Sequence, residues 1–485
     1  MNNNTIRKQN RIMLTAAASG SGKTTITCAL LYGLKIMGKR VGALKCGPDF
    51  IDPLFHRKVL GIETGNLDLF MSNEDLVKEN LIYSCEKNDI TVIEGAMGYF
   101  DGIGFSDKAS AYDIAKKTKT PVILIIDGRG MARSIMAILD GFLTHDKEKN
   151  IKGIIVNNTS KNIWEFIKVE SNKRGITPIG WVPRLKTSGF ASRHLGLITP
   201  NEIGDFNKII ADIFEEIKDN IDWDALNDIA SGAENIDCIK YNRVEGFKEK
   251  SRRFILAETN DKSKITTTIN HDLTIAIARD EAFCFYYDEN IRILEEYGCK
   301  LIYFSPMHDT TVPEGIDALI LWGGYPECFV EKLSENKTML ESVRAIVKSG
   351  MPAIAECGGY LYLQKTLEGK EMVGIFDGNA KKEDKLKHFG YIGVELKRGI
   401  TLFGRKNICI NAHEFHYCHI DNEENDFDIY KAPGTIKWTG GVATDNLYAA
   451  FPHIFFPGNI DFLESFLEKC IQSRTNVRKD LRFTR

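Results

Sequence analysis

The sequence predicts two α/β domains in one chain, each with a parallel sheet and flanking helices. The chain has 485 residues, which is too long for one typical domain. Short, almost continuously apolar runs that end in polar residues or glycine recur between helical stretches, a pattern typical of strands buried on both faces. One charged stretch interrupts the series. We therefore predict a first domain at 11–217, a linker at 218–270, a second domain at 271–465 and a basic tail at 466–485.

The composition narrows the class of protein. Apolar residues make up 43% of the chain, which suits globular cores, and a formal net charge of −3 offers no general basic surface for nucleic acid. No apolar run approaches the length of a membrane span, and no secretory signal opens the sequence. The 11 cysteines are odd in number and include no Cys-x-x-Cys pair, which indicates reduced thiols. We expect a cytosolic protein without nucleic-acid or membrane partners.

A glycine-rich loop lies between the first apolar run and a helical pattern, which is the context of a phosphate-binding loop. Its residues are Ser19, Gly20, Ser21, Gly22, Lys23, Thr24 and Thr25. Glycines let backbone N–H groups surround phosphate oxygens, and the helix N-terminus adds a favourable dipole. We expect Lys23 to reach the terminal phosphates of ATP and the Thr24 hydroxyl to bind Mg²⁺. Ala16 and Ala17 stand where the first glycine of the motif is expected.

Acidic residues follow two further strands of the first domain. Lys45 ends a strand, with Asp49 and Asp52 in the loop after it, while Glu94 ends another strand and Asp101 follows. Because ligands bind beyond the carboxyl ends of parallel strands, we expect Glu94 to be the second anchor for Mg²⁺. We expect Lys45, Asp49, Asp52 and Asp101 to contact metal or substrate. The alternative for Asp49 and Asp52 is turn formation, since Gly-Pro-Asp and Asp-Pro are ordinary turn sequences. The alternative for Glu94 is a helix cap or a surface acid.

Two other polar stretches leave their role open. Asn157 and Asn158 end a strand, where they could contact adenine or simply form a turn. Arg193 and His194 lie in a polar loop, where they could meet an anionic substrate or remain solvated. The residue types favour neither alternative for the second pair.

A cysteine at a strand-to-helix turn marks the second domain. Cys357 ends a short strand and precedes Gly358 and an apolar helical stretch from Tyr360 to Leu367. Such a turn exposes the sulfur at a helix N-terminus, which we expect to lower the thiol pKa. The N–H groups of Gly358 and of Gly324, which lies in a glycine turn after an earlier strand, are expected to form an oxyanion hole.

A thiolate nucleophile needs a histidine that accepts its proton. The downstream histidines are His388, His413, His416, His419 and His453. His453 follows a strand end late in the domain, where the base is expected. Position 455 is phenylalanine, so no glutamate follows the histidine by two residues, and a Cys357–His453 dyad is predicted. The histidine-rich stretch 411–419 fits no strong zinc signature, so we favour packing over metal binding there.

Eight motifs, in order between residues 11 and 459, resemble those of the cobyrinic acid a,c-diamide synthase family. They are Ser-Gly-Ser-Gly-Lys-Thr-Thr, Lys-Cys-Gly-Pro-Asp-Phe-Ile-Asp-Pro, Glu-Gly-Ala-Met-Gly-Tyr-Phe-Asp-Gly, Ser-Arg-His-Leu-Gly-Leu, Ala-Arg-Asp-Glu-Ala-Phe-Cys-Phe-Tyr-Tyr, Gly-Gly-Tyr-Pro-Glu, Glu-Cys-Gly-Gly-Tyr and His-Glu-Phe-His-Tyr. The resemblance implies a dethiobiotin-synthetase-like P-loop domain and a class I glutamine amidotransferase domain of flavodoxin-like fold that lacks the triad acid. It implies a ligase that uses ATP and glutamine to amidate the a and c acetate groups of a corrin through acyl phosphates.

The resemblance also assigns roles by position. It gives MgATP binding to Lys23, Thr24 and Glu94, contact with metal or the substrate carboxylate to Asp49, Asp52 and Asp101, and glutamine hydrolysis to Cys357 and His453. Four positions depart from the family pattern: Ala16, Trp322, Ala412 and Phe455. Relatives often carry a second histidine at the last of these, so its absence favours His453 as the base.

Two alternatives remain at this stage. The same chemistry could act on another tetrapyrrole, such as hydrogenobyrinic acid or nickel-sirohydrochlorin, because the synthases for these substrates share the motifs. A P-loop regulatory protein with a non-catalytic amidotransferase-like domain is the alternative from a different class, and the pairing of Cys357 with His453 argues against it. The sequence carries no prediction about the oligomeric state.

Overall fold

The computed structural model describes residues 8–186, 200–239, 243–247, 273–397, 399–402, 404–405 and 409–483. The chain forms two compact units, Met1–Lys240 and Tyr241–Arg485. Both are α/β, as predicted. In the described ranges, no helix has the length and apolar character that a bilayer crossing needs.

The first unit contains a seven-stranded sheet whose paired strands all run parallel, in the order β3-β2-β4-β1-β5-β6-β7. Its strands are β1 Arg11–Ala16, β2 Val41–Cys46, β3 Glu63–Leu67, β4 Ile90–Glu94, β5 Val122–Asp127, β6 Ile151–Asn157 and β7 Thr177–Trp181. The sequence prediction missed β3, because this edge strand reads Glu-Thr-Gly-Asn-Leu and has a single large apolar residue. The central position of β1 puts the loop that follows it at the middle of the sheet edge.

Helices cover both faces of this sheet. They are α1 Lys23–Ile36, α2 Ile51–Leu60, α3 Glu74–Lys87, α4 Ala111–Thr118, α5 Ser134–His145, α6 Lys161–Lys173, α7 Pro200–Ile217 and α8 Trp223–Ser231. Successive residues of β1 enter different cores, since Ile12 and Leu14 belong to one apolar cluster and Met13 to the other. This alternation explains why the strand is apolar throughout.

The segment predicted as a linker, 218–270, begins with ordered structure. Helix α8 buries Leu226 and Ala230 in a core of the first unit, with Trp223 packed against them. Gln9 then exchanges two hydrogen bonds with the backbone of Ile236, at 3.0 and 2.8 Å. The surrounding charged residues obscured the apolar spacing of this short helix. Most of the remaining predicted linker lies outside the described residues.

The second unit is built on a six-stranded sheet in the order β22-β23-β11-β10-β8-β9. The pairings are parallel except for that of β22 at one edge. The strands are β8 Thr274–Ala278, β9 Lys300–Phe304, β10 Ala318–Leu321, β11 Ala353–Glu356, β22 Val442–Ala443 and β23 Leu447–Ala450. The helices are α9 Asp288–Glu296, α10 Val330–Glu335, α11 Lys337–Lys348, α12 Gly358–Tyr362 and α13 Ile460–Phe483.

Short strands between α12 and β22 form further sheets, in which the pairings are antiparallel except that of β12 with β14. The sequence prediction missed most of these strands and indicated a strand only at 411–419. They are β12 Thr366–Leu367, β13 Lys370–Glu371, β14 Asn379–Lys382, β15 His388–Leu396, β16 Ile400–Thr401, β17 Gly404–Arg405, β18 Cys409–His416, β19 Cys418–Ile420, β20 Phe427–Lys431 and β21 Lys437–Gly440. The largest sheet has the order β21-β20-β15-β18-β24, in which β24 is His453–Ile454. The chain therefore passes from β23 of the parallel sheet into β24 of the antiparallel sheet through Phe451 and Pro452.

Two predicted boundaries differ from the structure. The helix after Cys357 ends at Tyr362, not at Leu367, which lies in β12. The predicted tail at 466–485 is helical to Phe483 as part of α13, and Phe466, Leu467 and Cys470 in it are buried. These apolar residues recur at helical spacing and anchor the start of a segment whose later residues are basic.

Candidate active sites

The phosphate-binding loop is supported from β6. Gly22 has a φ of +89°, which favours glycine, and it caps α1. A Cβ atom added to Gly22 would lie 2.3 Å from Nδ2 of Asn157, so the close approach also requires glycine. That Nδ2 donates a hydrogen bond of 2.9 Å to the carbonyl of Ser21. Asn157 thus holds the loop itself, a contact with a residue 136 positions away that the sequence pattern did not reveal.

Lys23 begins α1 and lies inside the loop. Its Nζ donates to the carbonyl of Met97 at 2.5 Å and to that of Ala18 at 3.4 Å. Burial lowers the pKa of Lys23 to about 8, and repulsion from Lys45 contributes to the lowering. The ammonium group is therefore held by carbonyl oxygens at the place where phosphate oxygens are expected.

A buried polar cluster joins the loop to β2 and β4. The hydroxyl of Thr24 donates to Oε1 of Glu94 at 2.7 Å, and Nζ of Lys45 lies 3.0 Å from the same oxygen. Lys45 also binds Asp52, and it lies 3.7 Å from Asp49. Burial alone would lower the pKa of Lys45, but Asp52 and Glu94 outweigh it and raise that pKa well above the ordinary value. The fold therefore brings together Lys45, Asp49, Asp52 and Glu94, which the sequence analysis placed at or just after the ends of two strands.

The cluster retains capacity for a cation. Oε2 of Glu94 and Nε2 of His56 are buried 3.8 Å apart, and neither atom has a hydrogen-bond partner among the described residues. Burial raises the pKa of Glu94 and lowers that of His56 to about 4. Carboxylate and hydroxyl oxygens suit Mg²⁺, so Glu94 and Thr24 fit the predicted pair of metal ligands. Among the described residues, no group of three or more His, Cys, Asp or Glu side chains is placed to hold a metal ion.

The other two predicted acidic residues have identifiable backbone contacts. Oδ1 of Asp49 accepts a hydrogen bond from the N–H of Ile51 at 2.8 Å, at the start of α2. Oδ2 of Asp101 accepts one from the N–H of Gly98 at 3.0 Å. Both side chains thus support local turns, which for Asp49 is the alternative expected from its Gly-Pro-Asp sequence. Their proposed contacts with metal or substrate stay predictions.

An open cleft of about 540 Å³ runs along the loop and the strand ends. Besides the loop residues, Asn158, Arg129 and Arg184 line it. Nδ2 of Asn158 and Nε of Arg129 donate to the carboxylate of Asp127, at 3.0 and 2.7 Å. The sequence analysis did not select the two arginines, although both closely follow strand ends. The Arg193–His194 loop lies outside the described residues.

In the second unit, Cys357 occupies a strained turn between β11 and α12. Its φ of +47° is rare for a residue with a side chain and is typical of a nucleophile elbow. The expected lowering of the thiol pKa is wrong. Burial raises the pKa of Cys357 well above its ordinary value, and the carboxylates of Glu327 and Glu414 add to the rise. The N–H of Gly358, at the start of α12, opposes the rise, but burial outweighs it.

The glycine turn after β10 packs against Gly358, the residue that follows Cys357, and against His453. A Cβ atom on Gly358 would lie 2.9 Å from the backbone nitrogen of Gly324. One on Gly323 would lie 2.4 Å from Cε1 of His453, and one on Gly324 would lie 2.0 Å from the carbonyl oxygen of Ala282. The two predicted oxyanion donors, Gly324 and Gly358, are thus neighbours, which supports the prediction without testing it.

Replacing Gly324 by alanine should reduce glutamine hydrolysis by about 10²-fold or more, the usual cost of losing one oxyanion donor. The added Cβ would collide with the Ala282 carbonyl and displace the turn. Steady-state assays of glutamate release measure the loss. The control is Gly246→Ala, because a Cβ at that exposed position has nothing within 4 Å. Equal rates in the two variants would contradict the assignment of this turn to the oxyanion hole.

His453 begins β24 and is 1% exposed. It pairs with His413 of β18, and burial lowers its pKa to about 3. Oε2 of Glu356, the residue before Cys357, lies 3.7 Å from its Nδ1. The elbow and the predicted base are tied by the backbone, since the N–H of Cys357 donates to the carbonyl of Ala450 at 2.8 Å, three residues before His453.

The histidine-rich strand β18 is largely a packing element. His416 lies between Oε1 of Glu414, 2.9 Å from its Nε2, and the carbonyl of Cys418, 2.7 Å from its Nδ1. Its ring stacks on Phe451 with centroids 3.7 Å apart. These contacts agree with the interpretation as packing residues. Sγ of Cys357 donates to the carbonyl of Phe415 at 3.9 Å, which places Glu414 and His416 beside the nucleophile.

Comparison with known proteins agrees with this architecture. Residues 12–194 match the CobQ/CobB/MinD/ParA nucleotide binding domain, and residues 274–459 match the CobB/CobQ-like glutamine amidotransferase domain. The folds and sites thus define an ATP-dependent ligase of the glutamine amidotransferase type.

Proteins of Clostridium acetobutylicum and Clostridium tetani, both called cobyrinate a,c-diamide synthase, are 35% and 36% identical to the chain. The matches cover 93% and 94% of this chain and 98% and 99% of those proteins. A protein of the same name from Listeria innocua is 36% identical over 93% of this chain and 97% of its own length. The chain belongs to the cobyrinate a,c-diamide synthase family.

Proposed function

We propose that the chain amidates the a and c acetate carboxylates of cobyrinic acid in the cytosol, using ATP and ammonia released from glutamine. The observation that carries this proposal is the presence, in one chain of the synthase family, of a Thr24–Glu94 phosphate-loop cluster and a Cys357 elbow. The first arrangement suits phosphoryl transfer and the second suits amide hydrolysis. Neither a regulatory nor a binding module requires both.

In the glutaminase step, the sulfur of Cys357 attacks the amide carbon of glutamine and its proton passes to His453. The N–H groups of Gly324 and Gly358 receive the developing oxyanion. The proton on His453 then moves to the departing nitrogen, which leaves as ammonia. Water hydrolyses the remaining thioester to glutamate and restores the thiol.

In the synthetase step, a substrate carboxylate oxygen attacks the terminal phosphorus of ATP and ADP leaves. Ammonia then attacks the acyl carbon, and phosphate departs as the amide forms. Lys23 balances charge on the transferring phosphoryl group, and Mg²⁺ bound by Thr24 and Glu94 would supply further charge neutralisation. Lys45 pairs with Asp52 and Glu94 beside this centre, and its charge opposes the effect of burial on the pKa of both carboxyl groups.

Mass spectrometry of cobyrinic acid incubated with the protein, MgATP and amide-labelled glutamine tests the proposal. We expect two labelled nitrogens in each product molecule, and none when ATP is left out. Parallel reactions with hydrogenobyrinic acid and nickel-sirohydrochlorin address the substrate. Amidation of one of those and not of cobyrinic acid would move the assignment to that tetrapyrrole. Failure to hydrolyse glutamine with every substrate present would favour the regulatory alternative.

A further inference from the structure

Glu356 is a buried carboxylate at the end of β11, directly before the nucleophile. Its side chain is 2% exposed. Oε1 accepts a hydrogen bond of 3.1 Å from the N–H of Ile454, and Oε2 lies 3.7 Å from Nδ1 of His453. The two oxygens therefore lie near consecutive residues of β24: Oε1 contacts the backbone of Ile454, and Oε2 faces the side chain of His453.

The burial of this group is costly. Desolvation raises the pKa of Glu356 to about 8, and the single backbone hydrogen bond from Ile454 only partly opposes it. A neutral or apolar residue at the end of a parallel strand would avoid that cost. The carboxylate is therefore better explained by its neighbour His453 than by its contribution to the stability of the sheet.

The other ionisable groups around His453 do not replace Glu356. His413 faces it in strand register, and Glu414 and His416 also act on it electrostatically. Glu414, however, is engaged by Nε2 of His416 at 2.9 Å. Position 455, two residues after the histidine, is phenylalanine and offers no carboxylate. Oε2 of Glu356, by contrast, lies within ion-pair distance of the Nδ1 atom.

We propose that Glu356 is the positioning carboxylate of the glutaminase site, completing a Cys357–His453–Glu356 triad whose acid precedes the nucleophile in sequence. This inference rests on the proposed glutaminase activity. Glu356 holds the Nδ1–H of His453, so that Nε2 is the nitrogen that receives the thiol proton. In its ionised form Glu356 stabilises the imidazolium formed in that transfer, because the imidazolium charge opposes the burial that raises the pKa of Glu356. The imidazolium then returns its proton to the leaving ammonia.

The variant Glu356→Gln separates positioning from structure. A glutamine carbonyl can still accept the hydrogen bond from the N–H of Ile454, so the support of β24 is retained. Its amide N–H₂ would instead donate to Nδ1 and select the wrong tautomer of His453. We expect the kcat for glutamine hydrolysis to fall by roughly 10²- to 10⁴-fold, with the KM for glutamine and the midpoint of thermal unfolding unchanged.

Two further variants complete the experiment. Glu356→Asp retains a carboxylate and should recover part of the rate that Glu356→Gln loses. Glu414→Gln removes an equally buried carboxylate and should reduce kcat less than Glu356→Gln. Wild-type kcat in Glu356→Gln, or a greater loss in Glu414→Gln, would overturn the inference. Absence of glutamine hydrolysis in the wild type would instead overturn the proposed function, so the two failures are distinct.

Discussion

Replacing Cys357 by serine should abolish amidation with glutamine while leaving amidation with free ammonia unchanged. The sulfur provides the covalent intermediate, and a buried serine hydroxyl is a far weaker nucleophile at this site. Loss of a nucleophile lowers kcat by about 10⁴-fold or more in hydrolases of this logic. Product formation from cobyrinic acid, followed by mass spectrometry with glutamine or with ammonium chloride, measures both activities.

Cys409→Ser is the matched control, because Cys409 is an exposed thiol of the same unit. It should retain both activities. Loss of the ammonia-dependent reaction in Cys357→Ser would mean that the substitution disturbs more than the glutaminase centre. Retention of the glutamine-dependent reaction would exclude Cys357 as the nucleophile.

Replacing Lys45 by methionine should lower the free energy of unfolding of the first unit by about 3 kcal/mol or more. The lysine side chain is 6% exposed and is the cation bound to both Asp52 and Glu94. Removing one partner of a buried ion pair leaves an uncompensated charge, which typically costs about 3–5 kcal/mol. Hydrogen exchange of the β2 and β4 amides under native conditions reports the opening of this region directly.

Lys39→Met makes the same chemical change at an exposed lysine and should alter stability by less than about 0.5 kcal/mol. The double variant Lys45→Met/Glu94→Gln should regain part of the lost stability, because it removes one of the two carboxylates left without a cation. Full stability in Lys45→Met alone would show that Asp52 and Glu94 are adequately paired without it.

The sequence analysis predicted the features that are determined by residues close together in the chain. The phosphate-binding loop and the turn at Cys357 are short local motifs, and their strand and helix contexts follow from apolar patterns. Contacts between distant residues could not be predicted this way. Asn157 supports Ser21 from 136 residues away, and Glu356 accepts from Ile454 across 98 residues.

Other differences have separate physical reasons. The strands between α12 and β22 are mostly short, and β12, β13, β16 and β17 span only two residues each. Their periodicity is therefore weak within any window. The raised thiol pKa of Cys357 depends on burial, which the sequence of the turn does not specify. The expected lowering of this pKa was based on the position of the thiol at a helix N-terminus, and the effect of desolvation on the pKa is larger.

The crossover through Phe451 and Pro452 imposes a length constraint on the protein. The carbonyl of Ala450 is fixed to the N–H of Cys357, and the N–H of Ile454 is fixed to Glu356. Both ends of the crossover are thus pinned to two adjacent residues of one elbow. An inserted or deleted residue in this interval would have to break one of these hydrogen bonds or move His453 out of register. Chimeras and circular permutants of such a domain should therefore have their junctions outside residues 450–454, because the length of this segment sets the position of His453 relative to Cys357.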